Sequence, residues 1–335
     1  MPCEEDVHAP VQYTVLPGAS CIIGYNAPRA PSMSLLDLVQ RRCIIVTGKG
    51  GVGKSTLTAA LGRAFARRGE RVLIAEIVPS AETPSALQAA LGGAAPAEEP
   101  QLIAERLWAA LLTPSAGHLR FLQDALPLRV LADAAMRSQG LRRFLMAAPG
   151  FSDMGVMYRM LDLMKRTYGG GQPLYEVCIV DSPATGHALA LAQIPEFLTR
   201  VIPGGPILRA AEAGLATLTD PATTGVIVVT LPETLPVTEA LELEKGLAAH
   251  RLPVSAVVVN RVPADPFSED ERAALRAALP GSVYGSRELQ RIDRAKAALA
   301  LLRERRPVGT VALAEVEGAG AAATAGVLAL LESGT

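Results

Sequence analysis

The chain has 335 residues, half of them apolar, with a formal net charge of −1 and a pI near 6.5. That length and composition bury a large core and hold one elaborate domain or two modest ones. The balanced charge excludes an overall basic field for nucleic acid or an anionic membrane. The four cysteines, Cys3, Cys21, Cys43 and Cys178, contain no CxxC pair, so neither a disulfide framework nor a zinc site is legible and a reducing cytoplasm is the expected setting.

Residues 1–40 read as a poorly ordered N-terminal extension. Its first 32 residues hold five prolines (Pro2, Pro10, Pro17, Pro28, Pro31) and no sustained periodicity. Met33 opens a short helical run, MSLLDLVQ, and is a candidate translation start. No signal-peptide pattern precedes it, and no uncharged apolar run reaches 18 residues, so no stable membrane insertion is expected.

From Cys43 the pattern alternates: strand CIIVT, a Gly-rich loop, a helix from Lys54 to about Arg68, and strand RVLIAEI ending at Ile77. Short β-branched runs return at YEVCIVD (Tyr175–Asp181), GVIVVT (Gly225–Thr230) and VSAVVVN ending at Asn260. Helix-compatible stretches follow at roughly 187–200, 236–250, 268–279, 287–304 and 314–332. The pattern predicts an α/β domain over residues 41–335, a doubly wound, mostly parallel sheet with crossover helices.

Between Ile77 and Tyr175 no strand pattern is convincing, which predicts a helical insertion over about residues 82–170. It carries six of the eight methionines: Met136, Met146, Met154, Met157, Met160 and Met164. In its last helix Met154, Met157, Leu161 and Met164 form one apolar row, and Val156, Met160 and Leu163 form a second. Gly155, Arg159, Asp162 and Arg166 are left as the polar stripe. So broad an apolar surface is covered either by internal packing or by a partner or client protein.

The loop Gly48–Thr56 (GKGGVGKST) satisfies GxxxxGK[ST]. Gly48, Gly50, Gly51 and Gly53 let the backbone N–H groups around Val52 curl about phosphate oxygens. The helix opening at Lys54, Ser55 and Thr56 presents its positive end to the same anion. Lys54 suits the β and γ phosphates and Ser55 a Mg²⁺ ion, which points to ATP or a close relative. Lys49 is a second lysine within the loop; it either faces solvent or reaches phosphate belonging to another subunit.

KGGVGKST with that second lysine resembles the signature of the nucleotide-dimerised ATPases, which include the MinD and ParA proteins, nitrogenase iron protein and ArsA. YEVCIVDSPATGHALAL resembles the switch II of the ArsA and tail-anchored-protein-targeting ATPase family, D-T-x-P-T-G-H, with Asp181, Ser182, Pro183, Thr185, Gly186 and His187 in those places. APGFSDM (Ala148–Met154), VTLPETLPVTEALELE (Val229–Glu244) and ALAEVEG (Ala312–Gly318) extend the resemblance over residues 42 to about 320. It implies that Lys49 contacts nucleotide across a dimer interface, that Asp181 holds the water shell of Mg²⁺, and that Asn260 reads adenine. His187 either takes a conformational role or caps the following helix.

The family's second strand ends in an aspartate that orients the attacking water; here Val78 stands in that place, and valine cannot orient water. Glu76 lies two residues earlier on the same strand face. The resemblance therefore implies a nucleotide-gated homo- or heterodimer with a homologous ATPase, coupling ATP state to a partner or hydrophobic client. The alternatives are a MinD- or ParA-like positioning ATPase and a catalytically weak nucleotide-binding subunit. Arsenite is not an expected ligand, because no cysteine lies between Cys43 and Cys178.

Overall fold

A computed structural model of the chain describes residues 34–125, 137, 138, 140, 150–183, 186–201, 203–279, 283–306 and 309–333. Seven parallel strands and one antiparallel edge strand make the central sheet. They are β1 (Cys43–Gly48), β2 (Val72–Ile77), β3 (Gln101–Ala104), β4 (Leu107–Leu112), β7 (Val177–Asp181), β8 (Thr224–Thr230), β9 (Val254–Val262) and β10 (Thr310–Ala314), in the order β10-β9-β8-β1-β7-β2-β4-β3. A small ribbon, β5 (Thr167–Tyr168) and β6 (Gln172–Pro173), stands apart. The residues of β1, β2, β7 and β8 are all buried, which is why these strands read as continuous apolar runs.

Helices cover both faces. On one lie α1 (Leu35–Val39), α2 (Lys54–Arg67), α3 (Ala86–Ala90) and α11 (Ala321–Glu332). On the other lie α5 (Phe151–Lys165), α6 (Gly186–Val201), α7 (Pro206–Thr219), α8 (Thr234–Ala249) and α10 (Val283–Arg305), while α4 (Pro114–Ala125) packs on α5 and α9 (Glu269–Ala278) on α10. The chain leaves β1 through α2 and enters the sheet again at β2, beyond β7. It later crosses by α6 and α7 on the opposite face to β8, on the other side of β1. That reversal opens a crevice at the carboxyl ends of β1, β7 and β8, where doubly wound sheets bind ligands.

The segment between Ile77 and Tyr175 is not helical throughout, since β3 and β4 lie within it and extend the main sheet. Two physical reasons hid them. The run LWAALL of β4 is built from Ala and Leu, which favour helix when read alone. The hairpin turn at Glu105 and Arg106 lacks the usual Gly or Asn, and Arg106 itself takes φ +57°. Residues 310–314 likewise form β10 on the edge of β9, so the last helix starts at Ala321 and not near 314. The helix α7 was not foreseen; Gly205 and Pro206 open it with proline in its first turn. Part of the expected extension belongs to the folded body, because α1 is capped by Ser34 and buries Leu35, Leu36 and Val39. Residues 1–33, Met136, Met146, Ala148, Pro149, Thr185 and the side chain of His187 lie outside the described residues.

Both apolar rows of α5 are covered. Met154, Met157, Met160 and Met164 are buried, with α4, α6, α7 and β4 packed around the helix. Its polar stripe is not solvated either. Asp162 accepts from Arg120 at 2.8 Å and from Arg159 at 2.9 Å, and Arg159 also donates to the Glu98 carbonyl at 2.8 Å. Gly155 is where α4 crosses: a Cβ added at Gly117 would stand 1.8 Å from the Gly155 carbonyl oxygen. For the described part of the insertion, internal packing is therefore the observed use of the methionines.

Candidate nucleotide site

The loop between β1 and α2 turns because glycine supplies what no other residue can. Gly48 has φ +143°, and a Cβ there would fall 2.2 Å from the Val229 carbonyl oxygen of the neighbouring β8. Gly53 has φ +96°, and a Cβ there would meet the Asn260 amide nitrogen at 2.3 Å. A side chain at either place would break the close packing of the loop against the strand ends. Around Gly50 and Gly51 the loop is open, with nothing within 4 Å of a Cβ position.

Lys54 and Ser55 open α2, whose first turn carries no acidic residue to compete for its positive end. Lys54 donates to the Lys49 carbonyl at 2.9 Å. Its burial holds the amine below the usual lysine range, and the charge of Asp181 opposes this shift. Asp181 ends β7 directly beside β1, in register with Val46. It is buried, and burial is the main cause that raises its carboxyl to about 7; a Ser55 hydrogen bond and Lys54 pull down, while Glu76 pushes further up. Ser55 and Thr56 are half-buried on the first turn of the helix.

The donor set fits a hydrated divalent cation. Among the described residues, Asp181 Oδ1 is buried with no hydrogen-bond partner, and the Ser55 hydroxyl bonds to the same carboxylate. A hard oxygen-seeking ion such as Mg²⁺ takes one or two carboxylates, a hydroxyl, waters and substrate phosphates. No cluster of three or more His, Cys, Asp or Glu side chains suited to a metal occurs among the described residues. Cys43 and Cys178 are buried on paired strands.

Asn260, at the end of β9, is buried beside the loop and not out over open crevice. Its amide donates to the Val52 carbonyl at 2.9 Å, and its oxygen accepts from the Arg261 N–H at 3.0 Å. One amide hydrogen and one oxygen lone pair remain for a base edge. Lys49 goes the other way. Its amine is 2.8 Å from Glu239 Oε1 on α8, with half of its side chain exposed.

Val78 follows β2 with 4% of its surface exposed, its N–H bonded to the Leu112 carbonyl at 3.2 Å. The Glu76 carboxylate is engaged at the start of α3. The Ser85 hydroxyl and the Ala86 N–H donate to it, the latter at 2.8 Å, which anchors the start of α3. In register, Glu76 and Asp181 stand on neighbouring strands. Lys49, Lys54, Ser55, Asp181 and Asn260, singled out from the sequence, lie at or just after the carboxyl ends of β1, β7 and β9, whereas Glu239 and Ser85 were not singled out. Glu239 lies within the quoted segment Val229–Glu244, but nothing in the sequence pairs it with Lys49, nor Ser85 with Glu76.

A family model for anion-transporting ATPases matches residues 41–204. The chain is also 33% identical over 227 residues to ATPase BagA of Mycobacterium tuberculosis, a match that covers 66% of this chain and 65% of that protein. The chain is similar to the ArsA-like ATPases. It spans slightly less than two thirds of the length of its mycobacterial relatives. More distant matches include ATPase GET3 of Chaetomium globosum, 25% identical over 270 residues that cover 68% of this chain and 75% of that one. An ASNA1 homolog of Cryptosporidium parvum is 26% identical over 267 residues, 69% and 68% of the two chains. The match to the family model begins just before β1 and ends just past α6, so it contains the P-loop, Val78 and Asp181.

Proposed function

We propose that this chain is a Mg²⁺-dependent, nucleotide-gated dimeric ATPase of the ArsA-like class, whose ATP state is coupled to binding of a partner or hydrophobic client protein. The observation that carries the reading is the opposite orientation of the two loop lysines. Lys54 lies inward near Asp181, and Lys49 lies outward on Glu239. In this reading the N–H groups from Gly50 to Thr56 cradle the phosphates, and Lys54 neutralises the β and γ oxygens. Ser55 and Asp181 hold the cation and its waters. Bound Mg²⁺ would offset charge on the phosphates. Asn260 keeps the loop in place and offers its remaining amide capacity to adenine. Lys49 serves the nucleotide of the second subunit, as a charge supplied in trans.

Sedimentation of the full chain with Mg²⁺ and a non-hydrolysable ATP analogue tests this. A doubling of mass that needs both nucleotide and Lys49 supports it, and a mass unchanged by bound nucleotide overturns the homodimeric form.

A second reading is favoured by one feature: Val78 cannot orient water, and Glu76 is tied to α3. A nucleotide-binding subunit with slow intrinsic turnover, completed by a catalytically intact homologue, accommodates both. A positioning ATPase of the MinD kind has less support, because the C-terminal helix α11 packs its Val327, Leu328 and Leu331 into the core. No described helix is long and apolar enough to cross a membrane.

A further inference from the structure

The loop lysines form a chain of two contacts that the proposed reaction does not by itself require. Lys54 donates to the carbonyl of Lys49, and the amine of Lys49 donates to Glu239. Both cations are therefore held by intrachain acceptors when no phosphate is present. Phosphate attracts Lys54 more strongly than a neutral carbonyl does, because a charged pair makes the stronger hydrogen bond. As Lys54 turns to phosphate, the Lys49 carbonyl loses that donor. A Cβ at Gly50 or Gly51 would meet nothing within 4 Å, and glycine gives the loop there wide backbone freedom.

Glu239 has the properties of a releasable counter-ion. About half of the Lys49 side chain and a third of the Glu239 side chain are exposed, and pairs so placed are weak. A deep, fully desolvated pair would trap the lysine. The second Glu239 oxygen is buried with no partner among the described residues, so the carboxylate draws on Lys49 as its counter-charge. Leu235, one turn earlier on α8, is 63% exposed and marks the same end of the helix as an open surface.

We propose that Glu239 is a positioning residue that parks Lys49 in the isolated protomer, and that nucleotide releases Lys49 for the second subunit by drawing Lys54 away from the Lys49 carbonyl. The proposal deepens the nucleotide-gated dimer reading and rests on it.

Two measurements on the full-length chain test it. The first is acylation of lysine amines, read by mass spectrometry. The chain has five lysines, Lys49, Lys54, Lys165, Lys245 and Lys296, so each site is resolved, with exposed Lys165 as internal reference. In the nucleotide-free chain, Glu239→Gln should raise labelling at Lys49 about two- to fivefold, the effect of losing a pair of that strength. The gain should shrink at 1 M salt, where exposed charges are screened, and Glu239→Asp should restore much of the protection. The second is the protein concentration at half-dimerisation with Mg²⁺ and a non-hydrolysable ATP analogue, which Glu239→Gln should lower by a similar factor.

Unchanged labelling at Lys49 overturns the parking. Increased labelling with dimerisation unchanged or weakened overturns its role as a brake. If wild type and variant both bind nucleotide and neither dimerises, the dimer reading itself fails and the brake fails with it. The labelling arm still decides in that case whether Glu239 holds Lys49.

Discussion

Gly53 and Asn260 meet where the loop turns into α2: there is room for the asparagine amide only because Gly53 has no Cβ, and that amide holds the Val52 carbonyl. The end of β9 is thus coupled to the shape of the phosphate loop. A residue placed by resemblance as a reader of adenine has a second duty in the fold.

Replacing Asn260 separates the two duties. Asn260→Ala removes the hydrogen bond to Val52 and leaves a buried carbonyl without its donor, at a cost of about 1–3 kcal/mol. Affinity for ATP and GTP should both fall, by fluorescence titration, and ATP should fall further by about three- to tenfold. Equal losses for the two nucleotides would confine Asn260 to bracing the loop.

Asp181 should make a contribution to the stability of the nucleotide-free protein that declines as pH rises from about 4 to about 7. Asp181 is raised by burial from 3.8 to about 7. Between those values the unfolded chain releases a proton that the folded chain retains, so folding weakens with pH and levels off above 7. The contribution is about 2–4 kcal/mol across the window. Denaturant midpoints of wild type and Asp181→Asn should therefore diverge as pH increases, the variant becoming the more stable. Parallel curves would contradict the burial of an uncompensated carboxylate.

Gly155→Ala should be among the most destabilising small substitutions in the chain. A methyl there would meet the Pro114 carbonyl oxygen at 2.6 Å and the His118 ring at 2.9 Å. The His118 ring is itself bonded to the Phe151 carbonyl at 2.7 Å, so it has little freedom to yield. A loss of about 1–3 kcal/mol is expected from overpacking, measured by urea unfolding, with nucleotide affinity little changed in the folded fraction.

Val78→Asp tests whether the end of β2 limits turnover. If the missing aspartate is the defect, the variant should raise kcat by about tenfold or more with KM within about twofold, because water positioning acts on the chemical step. Val78 is buried, so a modest loss of stability should accompany the gain. A wild-type rate that the variant only matches would show that Val78 is not limiting.

The parallel core and the phosphate loop were legible because each was written locally: β-branched runs of five to seven residues (43–48, 177–181, 224–230), and glycines at fixed spacing with lysine. The strands β3, β4 and β10 were not, since Gln101–Ala104 is largely exposed, LWAALL has helical composition, and Thr310–Ala314 is short and half-covered. These segments become strands only because a neighbouring edge is already in place, a tertiary cause that propensity does not carry. The site divided in the same way. Lys54, Ser55 and Asp181 announced themselves, whereas the engagement of Glu76 by Ser85 and of Lys49 by Glu239 depends on how helices dock. Arg159 and Asp162 read only as part of a polar stripe, and the sequence did not show that Arg159 would bond the Glu98 carbonyl and the Glu99 carboxylate.

The central claim is that Gly48–Thr56 and Asp181 together form a Mg²⁺-nucleotide site. Calorimetric titration of the full chain with ATP, with and without Mg²⁺, tests it most directly. One site per chain is expected, with affinity strengthened by Mg²⁺, a loss of about 100-fold or more in Lys54→Ala, and loss of the Mg²⁺ effect in Asp181→Asn. Wild-type affinity in a folded Lys54→Ala protein, or an identical response to Mg²⁺ in Asp181→Asn, would contradict it.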